Sequence, residues 1–205
     1  MHLPRIIRNR RLAASLALVA AGAGLTVVSS APQAVAATCG ASTSGAFTPA
    51  RAVISGIGTK TMVPVGTSGG ALATPSRSNA GLQQVGWYRG GYLPGQGYSV
   101  ALDAHSYFKT NGRTLMAADR PYALGNALLL GFRAGSTITV YNASGSKHIC
   151  YRFASRTAYS TSPTSARTMM NRAVLTQREQ VAIIVCSGTR TNGSYNQRTM
   201  FVAVR

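Results

Sequence analysis

The chain has 205 residues, 45% of them hydrophobic, with 22 glycines and a formal net charge of +18. That is enough for one folded domain behind a leader, and it excludes a disordered chain. Its only acidic residues are Asp103, Asp119 and Glu179, so a calcium cage or a glycosidase's carboxylate pair would have to be gathered by tertiary folding alone.

The first stretch, MHLPRIIRNRR, is basic. LAASLALVAAGAGLTVVSS follows without a charge, and APQAVAA places Ala34 and Ala36 in a small-residue A-x-A pattern. A basic segment, an apolar segment and a cleavage-like site predict export, with residues 1–37 as a signal peptide or a retained N-terminal membrane anchor. The basic end stays inside and the body is exported. Residues 38–50, small and polar, read as a linker. Four arginines (Arg5, Arg8, Arg10, Arg11) belong to the leader, so the body still carries +14 of the +18. A field of that sign attracts polyanions such as an anionic cell envelope. The basic residues of the body are scattered, which argues against specific nucleic-acid binding.

RAVISGIG and TMVPVG predict two short strands with a turn between them. TSGGALATPSRSNAGLQQ reads as a long loop with a helical turn. VGWYRGGYLPGQGYSVALDAH is a Gly/Pro-punctuated loop running into a strand that ends near His105. GNALLLGF, GSTITVYNAS and SKHICYRFAS read as strands, the last two joined as a hairpin around Gly145. SARTMMNRAVLT (165–176) predicts a helix started by Ser165. VAIIVC is a fully apolar strand ending at Cys186, SGTRTNGS turns, and YNQRTMFVAVR closes the chain as a strand. Many short strands with few helices predict a mainly β fold, a closed or nearly closed barrel.

Three cysteines (Cys39, Cys150, Cys186) in an exported chain imply one disulfide and one thiol, or no disulfide. His148 and Cys150 share a strand face, but two ligands do not make a zinc site. The plainer reading has Cys150 buried or bridged to Cys39 and His148 as an ordinary strand residue. No metal and no cofactor is expected.

Two strands end in reactive residues, His105 and Cys186, and neighbouring strands of a barrel could bring both ends to one rim. A thiol beside an imidazole is the minimum for acyl transfer by a cysteine. The sulfur attacks as the thiolate, and the imidazole protonates the leaving amine and deprotonates the incoming one. Arg198, twelve residues after Cys186, offers a permanent charge with several donors for a tetrahedral oxyanion. The alternatives are a structural role for each of these residues in a non-catalytic, basic envelope-binding protein, or a cysteine peptidase on the same barrel.

VGWYRGGYLPGQGYSVALDAH resembles the Gly-Trp-Tyr…Pro-Gly…Gly…Gly-His segment of sortases, notably the class E and class F groups of Gram-positive actinobacteria. VAIIVCSG is similar to the strand that holds the sortase cysteine, NQRTMFVAV to the following strand with its arginine, TPARAVISGIG to the opening strand and GSTITVY to the segment after the middle loops. The resemblance covers roughly residues 48–205. It implies an eight-stranded barrel over 51–205 with short helices in its loops, and a monomeric transpeptidase without cofactor. Cys186 would attack the Thr–Gly bond of a Leu-Pro-x-Thr-Gly or Leu-Ala-x-Thr-Gly sorting signal, His105 would be the general acid/base, and Arg198 would hold the oxyanion or the peptide. The thioacyl enzyme would pass to an amine of a peptidoglycan precursor or a pilin lysine at the outer face of the membrane or wall. The segment from Ser160 to Gln180 would cover the peptide groove, with Trp87 packing under it. The chain departs from the family at Ala104, where a glycine usually precedes the histidine, and at Ile183-Ile184-Val185-Cys186, where Thr-x-Thr-Cys is usual.

Overall fold

The computed structural model describes residues 39–205 except 69–70, 77, 107–108, 111–112, 115–122 and 192–193. The expected leader lies outside the described residues. Among those described, no helix is long and apolar enough to cross a membrane.

Among the described residues twelve strands form: β1 (Arg51–Ile54), β2 (Gly58–Val65), β3 (Thr67–Ser68), β4 (Ala71–Leu72), β5 (Val85–Tyr88), β6 (Ser99–Ala104), β7 (Lys109–Thr110), β8 (Arg113–Thr114), β9 (Thr137–Tyr141), β10 (His148–Ser160), β11 (Gln180–Thr191) and β12 (Ser194–Val204). Eight of them close a barrel in the order β1-β2-β5-β6-β11-β12-β10-β9, with β9 returning to β1. Two pairs in it, β2 with β5 and β6 with β11, are parallel. β3–β4 and β7–β8 are small hairpins beside it. A 3₁₀ turn spans Gly81–Gln83, within the loop where a helical turn is expected.

Alternation sorts the side chains of these strands to two faces. Val100, Leu102 and Ala104 of β6, Val181, Ile183 and Val185 of β11, and Phe201 and Ala203 of β12 point into the barrel, where Leu124, Ile138 and Tyr151 meet them. Ala101, Ala182, Ile184 and Met200 point outward, yet they are buried too, under Met169 and Ala173 of the helix α2 (Pro163–Leu175). Hence VAIIVC reads as a continuous apolar run: both of its faces are covered. All six residues of β6 are buried for the same reason. Trp87 is registered opposite Leu102 and lies in the interior cluster. It therefore fills the barrel rather than supporting the 160–180 segment, which corrects the expectation drawn from the resemblance.

Two further expectations change. GNALLLGF, expected as a strand, is the helix α1 (Leu124–Gly131). Its apolar run has no β-branched residue, and Leu and Ala favour helix. Leu124, Leu128 and Phe132, spaced by four, are buried while Leu130 is exposed. Helix α2 begins at Pro163, earlier than expected. Ser162 caps it by accepting from the Ser165 amide, with Pro163 in the first turn, where no amide hydrogen is needed.

The segment expected as a linker is tied down. β12 pairs with β10 only from Arg152 onward, which leaves the opening residues of β10 with an unpaired edge. Residues 41–43 fill it. The Thr43 amide donates to the His148 carbonyl (2.8 Å), Thr43 Oγ1 accepts from the His148 amide (2.8 Å) and Ser42 Oγ from the Cys150 amide (3.1 Å). A Cys39–Cys150 disulfide fastens this strap, and Phe47 enters the core. His148 stacks on Tyr141 and its Nε2 bonds to the Ala41 carbonyl (2.8 Å). His148 and Cys150 thus hold the strap, and the bridged sulfur is not available as a thiolate ligand.

The disulfide closes a loop of sequence separation 111, for which the chain-entropy model gives on the order of 4–5 kcal/mol. Replacing Cys39 and Cys150 by serine is expected to lower the stability extrapolated from urea unfolding by that order and to steepen the slope, because the uncrosslinked chain exposes more surface when it unfolds, as measured by equilibrium unfolding.

Candidate active site

Register sets the site. In the antiparallel ladder of β11 and β12, Cys186 is directly opposite Arg198. In the parallel ladder of β6 and β11, Val185 is paired with Ala104, so the next step along both chains sets His105 beside Cys186. The next ladder pairs Arg198 with Tyr159 of β10. Four neighbouring strands, about 4.8 Å apart, therefore present His105, Cys186, Arg198 and Tyr159 as one row on the outer wall of the barrel, at the edge of the surface covered by α2. The three expected residues are brought together, and Tyr159 is a member of the row that the sequence alone did not reveal.

Each member has its own support. Cys186 is half-buried and is in no disulfide, since the other two cysteines are bridged to each other. Beyond it β11 is irregular between Ser187 and Arg190. Gly188 takes a positive φ of 77° there, a conformation that L side chains rarely adopt. Inside the wall, Thr199 Oγ1 donates to Ser187 Oγ (2.8 Å).

His105 is buried, and its Nε2 lies 2.6 Å from the Pro75 carbonyl oxygen. A carbonyl only accepts, so Nε2 carries the proton and Nδ1 is the nitrogen of the neutral ring that can take another. The backbone at His105 is held from behind as well. The Gly125 amide of α1 donates to its carbonyl (2.6 Å). A Cβ at residue 125 would stand 2.5 Å from that oxygen, so only glycine permits the approach. Arg198 is partly exposed, with a 3.5 Å contact from Nη1 to the Gln197 carbonyl. Tyr159 is buried and its hydroxyl accepts from Arg172 of α2 (2.9 Å).

Below the row, Asp103 shares a face of β6 with His105 and is registered opposite Ile184. It is 6% exposed and its Oδ1 has no hydrogen-bond partner. Burial pushes its carboxyl well above the usual carboxylate range, and the Arg198 guanidinium draws it partly back. The aspartate is visible in the strand-like run SVALDAH, but its burial is not: alternation gives a face, whereas the cover over that face comes from elsewhere in the chain. Among the described residues, no group of three or more His, Cys, Asp or Glu is gathered as a metal site.

The geometry supplies a thiol, an imidazole with one nitrogen fixed as donor, and a permanent cation at one level. Such a set can attack a carbonyl, move a proton and oppose a developing negative charge.

No protein-family model matches the sequence, and no curated protein matches it. Solved structures do. The chain is similar to sortase C1 from Streptococcus suis, with 16% identity over 77% of this chain and 72% of that one, at a TM-score of 0.51. It is also similar to sortase C-1 from Actinomyces oris (18% identity, 75% and 71% of the chains, TM-score 0.49). Sortase A from Corynebacterium diphtheriae gives 16% identity, 78% and 61% of the chains and a TM-score of 0.48. The fold is the sortase fold: mostly β, with a closed eight-stranded barrel and, among the described residues, two short helices.

The raised Asp103 value carries a stability prediction. The folded protein binds this proton more tightly than the unfolded chain, which releases it near its ordinary value of 3.8. The contribution is full below that pH and is lost as the pH rises toward the folded value. Asp103→Asn removes the loss. Thermal scans from about pH 4 to about pH 8 are expected to show the variant gaining on the wild type as pH rises, melting a few degrees higher at the alkaline end.

Proposed function

We propose that this barrel of the sortase fold is a cysteine transpeptidase, working at the outer face of the membrane or in the cell wall of a Gram-positive-type bacterium. The observation that carries the reading is the row of His105, Cys186 and Arg198 across three adjacent strands. In the mechanism it supports, the Cys186 thiol passes its proton to Nδ1 of His105, and the sulfur, as thiolate, attacks the Thr–Gly carbonyl of a sorting signal of the Leu-Pro-x-Thr-Gly or Leu-Ala-x-Thr-Gly type. The carbonyl electrons move onto oxygen, and the Arg198 guanidinium opposes that charge. Collapse of the intermediate breaks the C–N bond, and His105 protonates the departing amine. The thioacyl enzyme is then attacked by an amine of a peptidoglycan precursor or a pilin lysine. His105 accepts the proton that this amine gives up, and the sulfur leaves. The segment carrying α2, packed beside the row, would flank the bound peptide.

The reading is tested with a fluorogenic sorting peptide and added oligoglycine. Wild type is expected to yield the oligoglycine adduct. Cys186→Ala and His105→Ala should each abolish turnover, and Arg198→Gln should lower kcat by about 10²–10³. Hydrolysed peptide as the sole product, with amine in excess, would move the assignment to a cysteine peptidase. Turnover that survives Cys186→Ala would end it, and leave the basic barrel as an envelope-binding protein whose affinity falls steeply with salt.

A further inference from the structure

A cleft of about 400 Å³ opens at the same end of the barrel as the row. It is enclosed by the turn between β1 and β2 (Ser55, Ile57), by Lys60 and Gln83, and by the end of α1 (Leu130, Gly131). β5 runs antiparallel to β6 and parallel to β2, and β2 runs antiparallel to β1. Gln83, just ahead of β5, and the β1–β2 turn therefore lie at the rim where β6 gives way to His105. α1 links the two places. It starts behind His105, with the Gly125 amide on the His105 carbonyl, and ends in the cleft wall. At about 1.5 Å per residue, the run from Gly125 to Gly131 sets the cleft roughly 9 Å from the His105 backbone.

The cleft is apolar at Ile57 and at Leu130, which is 72% exposed although it sits beside a concave surface. Its one charge is Lys60, half-buried on β2. Nζ donates to Gln83 Oε1 (2.7 Å), which uses one of its three N–H groups. Burial pulls the Lys60 ammonium below its ordinary range, and neither described acid is placed to offset that. Asp103 belongs to the face of β6 covered by α2, and Glu179 is bonded to Gly95, Gly97 and Tyr151. A partly desolvated ammonium answered by a neutral amide is better satisfied by an anion. A phosphate brings about twice the charge of a carboxylate. One ammonium between apolar side chains matches the single charge of a carboxylate carried on a short chain.

We infer that the cleft receives the carboxylate of the acceptor substrate: the attacking amine stands at Cys186 and His105, and a carboxylate about three residues further along the acceptor meets Lys60 Nζ. Three residues fully extended span about 10 Å, which is comparable with the separation along α1. That the carboxylate belongs to an acceptor rests on the transpeptidase reading; that the cleft takes a carboxylate does not.

Both parts can be tested separately. The chain has three lysines, Lys60, Lys109 and Lys147, so lysine labelled with ¹³C at Cε gives three resonances, the Lys60 signal being assigned with Lys60→Met. In Cys186→Ala protein, triglycine is expected to move the Lys60 signal selectively and triglycine amide to leave it in place. In the peptide assay the wild type should show a KM about tenfold lower for triglycine than for triglycine amide. Lys60→Met should erase that difference by raising the triglycine KM, with kcat and the melting temperature little changed. Equal KM values for the two acceptors in the wild type, a Lys60 signal indifferent to triglycine, or a Lys60→Met change that raises both KM values alike would each overturn the inference. Inorganic phosphate moving the Lys60 signal at concentrations where acetate does not would reassign the cleft to a phosphate, and also overturn it. If the wild type cleaves no sorting peptide but triglycine still moves Lys60, the carboxylate site stands and the transpeptidase reading falls. If transpeptidation proceeds and Lys60 stays silent, the reading stands and the inference falls.

Discussion

The parallel pairing of β6 with β11 is the constraint on which the site depends. Parallel strands cannot be joined by a tight turn, so their register has to be fixed by contacts made elsewhere. Here both strands are buried on both faces, by the barrel interior on one side and by α2 on the other. A slip of one residue would exchange Leu102 and Ile183, which belong inside, with Asp103 and Ile184, which belong outside. The same slip would take His105 away from Cys186. The packing that stabilises the barrel and the alignment that makes the row are one arrangement.

Once β6 and β11 are set, the antiparallel ladders carry the alignment outward. β12 returns on β11 and puts Arg198 across from Cys186, and β10 follows with Tyr159. The register of β10 shifts between Phe153 and Ser155. That shift separates the half of β10 that pairs with β9 and the N-terminal strap from the half that carries Tyr159. One long strand can thereby serve two purposes: its start is held by the Cys39–Cys150 bridge and its end completes the site wall.

The sequence revealed the strand ends that carry chemistry. His105 and Cys186 each terminate an apolar run, and Arg198 follows within reach of a turn. The barrel was legible from the number and shortness of the strands. What escaped had non-local causes. GNALLLGF is apolar without a period, and its helical state is decided by Leu124, Leu128 and Phe132 docking in the barrel. Residues 39–50 look like a linker because their binding capacity lies in small hydroxyls, Ser42 and Thr43, whose partners are more than 100 positions away. Tyr159 joins the row through a ladder that crosses an irregularity, which no spacing in the sequence announces.

The scarcity of acids then acquires a physical meaning. On so basic a chain a surface carboxylate would have cations on every side, but two of the three acids work in the interior or at its border. Glu179, immediately before β11, accepts from the Gly95 amide (3.2 Å), the Gly97 amide (2.7 Å) and the Tyr151 hydroxyl (2.7 Å). These bonds clamp the turn that leads into β6 to the start of β11, one residue from the first pair of the parallel ladder, Gln180 with Ser99. Burial and the adjacent carboxylate push the Tyr151 hydroxyl far up, so it stays a donor. Glu179 thus secures the register at one end of the ladder, and Asp103 lies near the other end, beneath the row. The two acids among the described residues thus stand at opposite ends of the one ladder whose alignment brings His105 to Cys186.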